Sequence, residues 1–212
     1  MKKIAFVLTN HDRKGNTGQK TGFYLPEAAH PWAILDTAGY GIDFVSPLGG
    51  MAPMDGADNP DAVCQRFLDT PALMERTRTT LQPKQALATD YAGILYVGGH
   101  GTMWDFPDSE GIARLAADIY EAGGIVGAVC HGHFLVEGKR VAAFTDDEER
   151  AIKLQDVVPF LLASTLQQRG AIHVPAPNWQ ANVVVDGRLV TGQNPASAEG
   201  VAHEMVRLLK QS

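Results

Sequence analysis

Short apolar segments alternate with segments of helical pattern along the chain, and this alternation restricts the possible folds more than any other feature. The apolar segments have the length of buried strands and cover residues 4–8, 42–45, 93–97, 125–129 and 140–144. The helical patterns cover residues 26–37, part of 61–81 with a break near Pro71, 108–122, two stretches starting near Asp146 and after Pro159, and 196–209. Because parallel strands need long crossover connections, this order predicts an α/β fold with a mainly parallel sheet and helices on both faces.

A hairpin adds one antiparallel element to this prediction. Asp186-Gly187 separates two short apolar runs, residues 183–185 and 188–190, and an Asp-Gly pair is typical of a tight hairpin turn. The chain shows no internal repeat and no linker composition. We therefore expect a single domain over residues 1–212, whose sheet carries a small antiparallel hairpin.

Composition excludes several classes of function. The 18 basic and 24 acidic residues give a net charge of -6, and no basic stripe is available for phosphate contacts, so a nucleic-acid partner is not expected. No apolar run reaches the roughly 18 residues of a membrane span. The N-terminal apolar run is too short for a signal peptide and is interpreted as a strand. With two cysteines, expected as free thiols, the chain is predicted to be cytoplasmic.

The chemistry of such a sheet is expected beyond the carboxyl ends of its strands. One strand runs into Gly98-Gly99-His100-Gly101, and the next runs into Cys130-His131-Gly132. A cysteine between an apolar strand and small residues fits a nucleophile elbow, whose free N–H groups are expected to lower the pKa of the Cys130 thiol. His131 is the candidate activating base. The N–H groups of Gly99 and His131 are predicted to form an oxyanion hole.

The same residues have simpler interpretations. A free cysteine at a strand end is often a small buried hydrophobe, and this interpretation is favoured for Cys64, which lies in a predicted helix. His131-x-His133 with Glu27 has the ligand types of a zinc site, but closed sites need four ordered ligands, so no metal is expected. The other histidines are interpreted as surface or satisfied side chains: His11, His30, His173 and His203.

Three segments resemble the DJ-1/PfpI superfamily. They are Gly-Gly-His-Gly at 98–101, Ala-Val-Cys-His-Gly at 128–132 and Thr-Gly-Gln-Asn-Pro at 191–195, and they are most similar to the Hsp31-like, glutathione-independent glyoxalase branch. Residues 21–31, 43–53 and 144–161 resemble that branch in the same order. The resemblance covers nearly the whole chain, and its specificity comes from the combination of segments.

The resemblance implies a flavodoxin-like sandwich, usually homodimeric, and a cofactor-independent conversion of methylglyoxal to lactate. It implies Cys130 as nucleophile, His131 as its partner and Glu27 as a carboxyl group touching the thiol. A third triad member is implied near Phe144-Thr145, where we favour Glu148. Its competitors are Asp146, Asp147 and Glu149, and the whole acidic cluster also suits an ordinary helix N-terminus.

Two features depart from the branch. His133 stands where proline is usual, and residues 133–137 are shorter than the corresponding helix and loop. The alternative functions are a holdase chaperone, a redox sensor, or a deglycase or peptidase of the same superfamily. A glutamine amidotransferase is disfavoured, because the chain lacks that family's elbow pattern and its distant His-x-Glu pair.

Overall fold

The computed structural model describes residues 2–132 and 137–211. A central six-stranded sheet is formed, in spatial order, by β3 (Gly41–Val45), β1 (Lys3–Val7), β5 (Tyr91–Tyr96), β6 (Ile125–Val129), β10 (Leu189–Gly192) and β9 (Val183–Asp186). Every pairing is parallel except that of β10 with β9, which is the predicted hairpin. The fold is therefore the flavodoxin-like α/β arrangement that the sequence predicts.

Strand β1 shows why both faces of the sheet need a helical layer. Ile4 and Phe6 enter one apolar cluster, whereas Ala5 and Val7 enter another, because successive side chains of a strand point to opposite faces. All four are fully buried. A strand with two apolar faces is stable only inside a layered α/β domain.

Eight helices surround the sheet in the described part of the chain. They are α1 (Leu25–Thr37), α2 (Ala62–Leu68), α3 (Pro71–Arg78), α4 (Thr102–Asp105), α5 (Glu110–Glu121), α6 (Asp146–Ala151), α7 (Leu162–Gln168) and α8 (Ala198–Leu209). Apolar residues of α1, α2 and α8 join one cluster, while those of α5 join the other. None of the described helices has the length and apolarity needed to cross a membrane.

The predicted break near Pro71 is confirmed as the boundary between two helices. Asp61 caps α2 through the Cys64 amide, and Pro71 occupies the first turn of α3, where its missing N–H costs nothing. The strand predicted over residues 140–144 forms only at β7 (Arg140–Val141), which pairs with β8 (Ile172–His173). The sequence did not predict α4, β8 or the parallel pair of β2 (Phe23–Tyr24) with β4 (Met54–Asp55). Strands of two residues carry no readable periodicity.

Glycine at 127 lets a helix approach the strand that carries the cysteine. A Cβ built there would lie 2.5 Å from Sδ of Met205 on α8, so a larger residue would displace the Met205 side chain. Strands β5 and β6 are neighbours, so the two predicted loops, at 98–101 and 130–132, leave the same edge of the sheet. The fold thus brings together the two loops that carry the candidate chemistry.

Candidate active site

Cys130 occupies a strained backbone position directly after β6. Its φ of 58° lies in the left-handed region, which costs a residue with a side chain about 1–3 kcal/mol. Hydrogen bonds hold it there, from the Cys130 amide to the Gly192 carbonyl at 2.9 Å and from the Gly132 amide to the Val129 carbonyl at 2.9 Å. A Cβ at Gly132 would lie 2.6 Å from the Tyr96 carbonyl oxygen, so the bend requires glycine. This is the geometry of the predicted elbow.

A chain of contacts leads from the sulfur to a buried carboxylate. Cys130 Sγ lies 3.1 Å from Nδ1 of His131, and Nε2 of His131 lies 2.8 Å from Oε2 of Glu149. Burial and the neighbouring His100 lower the pKa of His131 to about 4, so the imidazole is neutral at neutral pH. A carboxylate can only accept, so Nε2 carries the proton and Nδ1 is free to accept one from the thiol.

Glu149 is held by two histidines at once. Nε2 of His100 lies 3.0 Å from Oε1 of Glu149, on the oxygen that His131 does not use. Burial opposes ionisation, but the hydrogen bonds from His100 and His131 outweigh it and lower the pKa of Glu149 to about 2. The imidazole rings of the two histidines lie 4.3 Å apart, and Phe144 packs 4.4 Å from the His131 ring. The carboxylate therefore stays ionised and fixes the orientation of His131.

The expectation that Glu148 supplies this carboxylate is wrong. Oε2 of Glu148 accepts from the Thr145 amide in a capping box, and Oε1 accepts from the Trp179 amide and the Asn194 side chain, both at 2.8 Å. Adjacent residues of a helix point about 100° apart, so only one of the two glutamates can face His131. Glu148 instead joins the start of α6 to the segment at 191–195.

The remaining competitors also point elsewhere. Asp146 binds Ser164, and the exposed Asp147 pairs with Arg150 at 2.9 Å. All four acids lie in the first turn of α6, as expected of an ordinary helix N-terminus, but only Glu149 reaches the histidines.

Glu27 lies in the first turn of α1 with its side chain completely buried. A Cβ at Gly98 would lie 2.3 Å from Oε2 of Glu27 and 2.9 Å from Cβ of Cys130, so the carboxyl packs against this glycine beside the cysteine. Burial raises the pKa of Glu27 to about 8, against the lowering effect of Cys130 and the Gly98 amide. Neither oxygen completes a hydrogen bond within the described part of the chain. Glu27 thus holds a proton at neutral pH next to the thiol.

The predicted lowering of the Cys130 pKa is wrong in direction. Burial raises it well above the ordinary value, and the neighbouring carboxyl groups of Glu27 and Glu149 add to the effect. Only the His131 amide acts in the expected sense. The resting residue is therefore a thiol, and at neutral pH the acceptor beside its proton is Nδ1 of His131.

The oxyanion hole predicted from Gly99 and His131 remains a prediction. Gly99 has a φ of 111°, and a Cβ there would lie 2.4 Å from the Gly22 carbonyl oxygen, so the tight bend after β5 requires glycine. Within residues 2–132 and 137–211, the Gly99 amide has no backbone acceptor, whereas the His131 amide is directed at the Cys130 side chain. Both amides therefore lie where they could donate to an oxygen that forms beside the sulfur.

Sequence reasoning assigns no role to His100, and it names Glu149 only as a competitor of Glu148. His100 was visible inside a loop that was interpreted through its glycines, and its histidine was a usable signal. The metal alternative of His131-x-His133 with Glu27 depends on residue 133, which lies outside the described residues, as does most of the short segment at 133–137. His100, His131 and Glu149 also have metal-ligand types within 4.8 Å of one another, but hydrogen bonds among them already satisfy both carboxylate oxygens.

Comparison with known proteins identifies the family of this chain. The family model of DJ-1/PfpI matches residues 20–208. Glutathione-independent glyoxalase HSP31 of Saccharomyces cerevisiae is 32% identical over 99% of this chain and 98% of its own. Glyoxalase 3 of Candida albicans is 28% identical over 97% of this chain and 98% of its own.

Two solved structures extend the likeness to three dimensions. Rapid Encystment Protein 24 KDa of Francisella tularensis has a TM-score of 0.93 at 33% identity and covers 99% of both chains. Glyoxalase III of Candida albicans has a TM-score of 0.88 at 26% identity, covering 98% of this chain and 97% of its own. By its sequence and by its fold, this chain belongs to the DJ-1/PfpI family.

Proposed function

We propose that this protein is a glutathione-independent glyoxalase that converts small 2-oxoaldehydes, such as methylglyoxal, to 2-hydroxy acids, such as lactate. The observation that carries the proposal is the contact chain from Cys130 through His131 to Glu149, with the buried acid Glu27 beside the same sulfur. The relatives named as glyoxalases align with nearly the whole chain, which supports the same activity here.

The first step forms a carbon–sulfur bond. Nδ1 of His131 takes the thiol proton, and the sulfur of Cys130 adds to the aldehyde carbon, C1. The aldehyde oxygen becomes an oxyanion that the Gly99 and His131 amides stabilise, and the imidazolium then returns the proton to it. Glu149 stabilises the transient imidazolium, because its own pKa of about 2 keeps it negative. The product of this step is a hemithioacetal.

The second step moves hydrogen from C1 to C2. A base removes the C1 proton, the C2 carbonyl oxygen is protonated to give an enediol, and C2 is then protonated as C1 becomes a thioester carbonyl. Glu27 and His131 are the candidate bases, and we assign the transfer to Glu27, because an acid with a pKa of about 8 both accepts and releases a proton near neutral pH.

Water completes the reaction by attacking the thioester. The carbon–sulfur bond breaks, lactate leaves, and Cys130 regains its proton. One methylglyoxal and one water give one lactic acid, with C1 oxidised and C2 reduced inside the same molecule. The balance requires no soluble cofactor and no external oxidant or reductant.

The direct test is lactate production by the purified protein from methylglyoxal without added thiol. We expect lactate to accumulate in proportion to the methylglyoxal consumed, at a rate that glutathione does not change. Consumption without lactate would contradict the proposal and favour a deglycase or simple scavenging of the aldehyde.

A pH profile tests the role assigned to Glu27. Because the carboxylate form is the base, the rate is expected to rise with pH through a step near the pKa of about 8. In Glu27→Gln the step disappears and the rate falls by about 100- to 10,000-fold. Glu121→Gln, an exposed acid on α5, is the matched control and keeps the step. A full rate in Glu27→Gln would remove this residue from the mechanism.

Glu27→Gln is also expected to be more stable than the wild type at alkaline pH. The pKa of Glu27 rises on folding from 4.5 to about 8, so between these values the folded chain binds more protons than the unfolded chain. Stability due to this group is therefore present at low pH and lost as pH rises through about 8. Thermal unfolding of Glu27→Gln at pH ~8 should show a gain on the order of 4 kcal/mol. The gain should be small at pH ~5, and an equal gain at both would contradict the ionisation cause.

A redox sensor is less well supported by this site. Sensor cysteines are exposed thiols of low pKa, whereas Cys130 is buried and its pKa is raised. In the enzymatic interpretation, Cys130 ionises only when His131 accepts its proton during attack on the substrate. Its burial and raised pKa therefore protect the thiol from oxidation until substrate is bound.

The proposal includes the setting in which the enzyme works. We expect one DJ-1/PfpI-like domain over residues 1–212, acting as a homodimer in the cytoplasm on a small carbonyl substrate, without a nucleic-acid partner. The net charge of -6 and the free cysteines Cys64 and Cys130 support this setting.

A further inference from the structure

A second group of reactive side chains lies one helical turn beyond Glu27 and has no part in the proposed reaction. It consists of His30 on α1, Asp61 at the N-cap of α2 and Cys64 in the first turn of α2. One imidazole nitrogen, one carboxylate oxygen and the sulfur lie within 4.8 Å of one another. Three ligand types that bind borderline metal ions thus meet between two helices.

The two oxygens of Asp61 have different partners, a backbone amide and the His30 ring. Oδ1 of Asp61 accepts from the Cys64 amide at 2.8 Å and so caps α2. Oδ2 lies 2.7 Å from Nε2 of His30. The capping bond fixes the carboxylate, while Oδ2, Nε2 and the sulfur face one another.

Glu199 on α8 orients the imidazole from the opposite nitrogen. Its Oε1 lies 2.7 Å from Nδ1 of His30, and because carboxylate oxygens can only accept, Nδ1 donates to Glu199 and Nε2 donates to Asp61. In metal sites a histidine ligand commonly donates its other N–H to a carboxylate, which fixes the tautomer and makes the ligating nitrogen more basic. The pair of His30 and Glu199 has this arrangement.

The charges at the cluster do not balance. Among the described residues, His30 is the only basic side chain within ion-pair distance of Asp61 or Glu199. These two carboxylates are 53% and 59% exposed, so an ion from solvent can reach them, whereas His30 is mostly covered. Cys64 is buried, and burial with the neighbouring Asp61 raises the pKa of its thiol to about 12. A divalent cation would neutralise the carboxylates and stabilise the thiolate.

We propose that His30 Nε2, Asp61 Oδ2 and Cys64 Sγ bind a divalent transition-metal ion, zinc in the first instance, with Glu199 as the outer carboxylate. Three protein ligands and one water complete a tetrahedral site. The ion replaces the hydrogen that joins His30 Nε2 to Asp61 Oδ2, so that proton and the thiol proton of Cys64 are both released to solvent on binding. The site joins α1, α2 and α8 and is separate from the sulfur of Cys130.

Cobalt is a suitable probe because a thiolate ligand gives Co²⁺ a near-ultraviolet charge-transfer band and a tetrahedral site gives visible bands. The chain has two cysteines, so Cys130→Ser leaves Cys64 as the only sulfur ligand from cysteine. Titration of chelator-treated Cys130→Ser is expected to give both sets of bands with one equivalent, and zinc is expected to displace them. Cys64→Ser should lose the charge-transfer band, and His30→Ala should bind much more weakly.

Glu199→Gln keeps all three ligands and the fold, and it should weaken cobalt affinity by about 10- to 100-fold. Circular dichroism of each variant checks that the fold persists. Bands that vanish in Cys130→Ser but survive in Cys64→Ser would place the ion at the active site and overturn the proposal. The absence of one-equivalent binding in folded Cys130→Ser would overturn it as well.

Discussion

Replacing Cys130 with serine is expected to lower the rate of lactate formation from methylglyoxal by at least about 1,000-fold. The hydroxyl is nearly the size of the thiol, but it is a much poorer nucleophile and a much poorer leaving group from the acyl intermediate. His131, with its pKa lowered to about 4, is too weak a base to ionise an alcohol. The measurement is lactate release in stopped-time assays, with no glutathione present.

The fold provides the control for this result. Cys130 is surrounded by backbone hydrogen bonds that do not involve its sulfur, so the serine variant should retain its circular dichroism spectrum and unfold at a similar temperature. Lactate formation at the wild-type rate by a folded Cys130→Ser protein would contradict covalent catalysis.

Replacing Glu149 with glutamine is expected to lower the rate by about 100- to 10,000-fold with the fold retained. The amide keeps the shape of the side chain but removes the negative charge that stabilises the His131 imidazolium. It also presents an N–H to one of the two histidines, which disturbs the tautomer with Nδ1 free for the thiol. The measurement is the rate of lactate release at saturating methylglyoxal.

Glu148→Gln is the matched control, because the two acids are adjacent and both are buried. Glu148 accepts from the amides of Thr145 and Trp179, so its variant should lose about 1–3 kcal/mol of stability while the contact of Cys130 with His131 persists. Thermal unfolding and rate measured on both variants separate the two roles. A larger loss of rate in Glu148→Gln than in Glu149→Gln would return Glu148 to the site.

The position of the nucleophile could be predicted because its causes are local. An apolar strand ending in small residues has few ways to continue, and Gly132 permits the bend that forces Cys130 to a φ of 58°. His131 follows Cys130 directly in the sequence, so its imidazole is expected to lie near the sulfur. Glu27 was found through the family resemblance, since a glutamate after proline at a helix start is otherwise an ordinary pattern.

The choice between Glu148 and Glu149 could not be made from the sequence. Both lie in the first turn of α6, and the face that meets His131 depends on the rotation of a helix whose position is set by distant packing. A capping box was readable at Thr145 and Glu148, and it would have assigned Glu148 to the helix N-terminus. That signal was available and was not used.

The direction of the Cys130 pKa shift also could not be predicted from the neighbouring residues in the sequence. The amide near an elbow can be inferred from sequence, and it does act to lower the pKa. Tertiary packing buries Cys130 and brings the carboxyl groups of Glu27 on α1 and Glu149 on α6 close to it. Together these effects raise the pKa of the thiol by more than the His131 amide lowers it. The two loops at 98–101 and 130–132 could be placed together only because β5 and β6 were predicted as parallel strands of one sheet.

The most direct measurement of the central claim is the location of the covalent intermediate. Rapid acid quenching of the protein during turnover, followed by peptide mass spectrometry without added thiol, should find the mass of one acyl group from the substrate on the peptide that contains Cys130. The acyl intermediate should appear before lactate, and it should be depleted in Glu27→Gln, because that variant slows the hydrogen transfer that forms the thioester. Turnover that proceeds with Cys130 unmodified at every time point, or with the acyl group only on Cys64, would contradict the account.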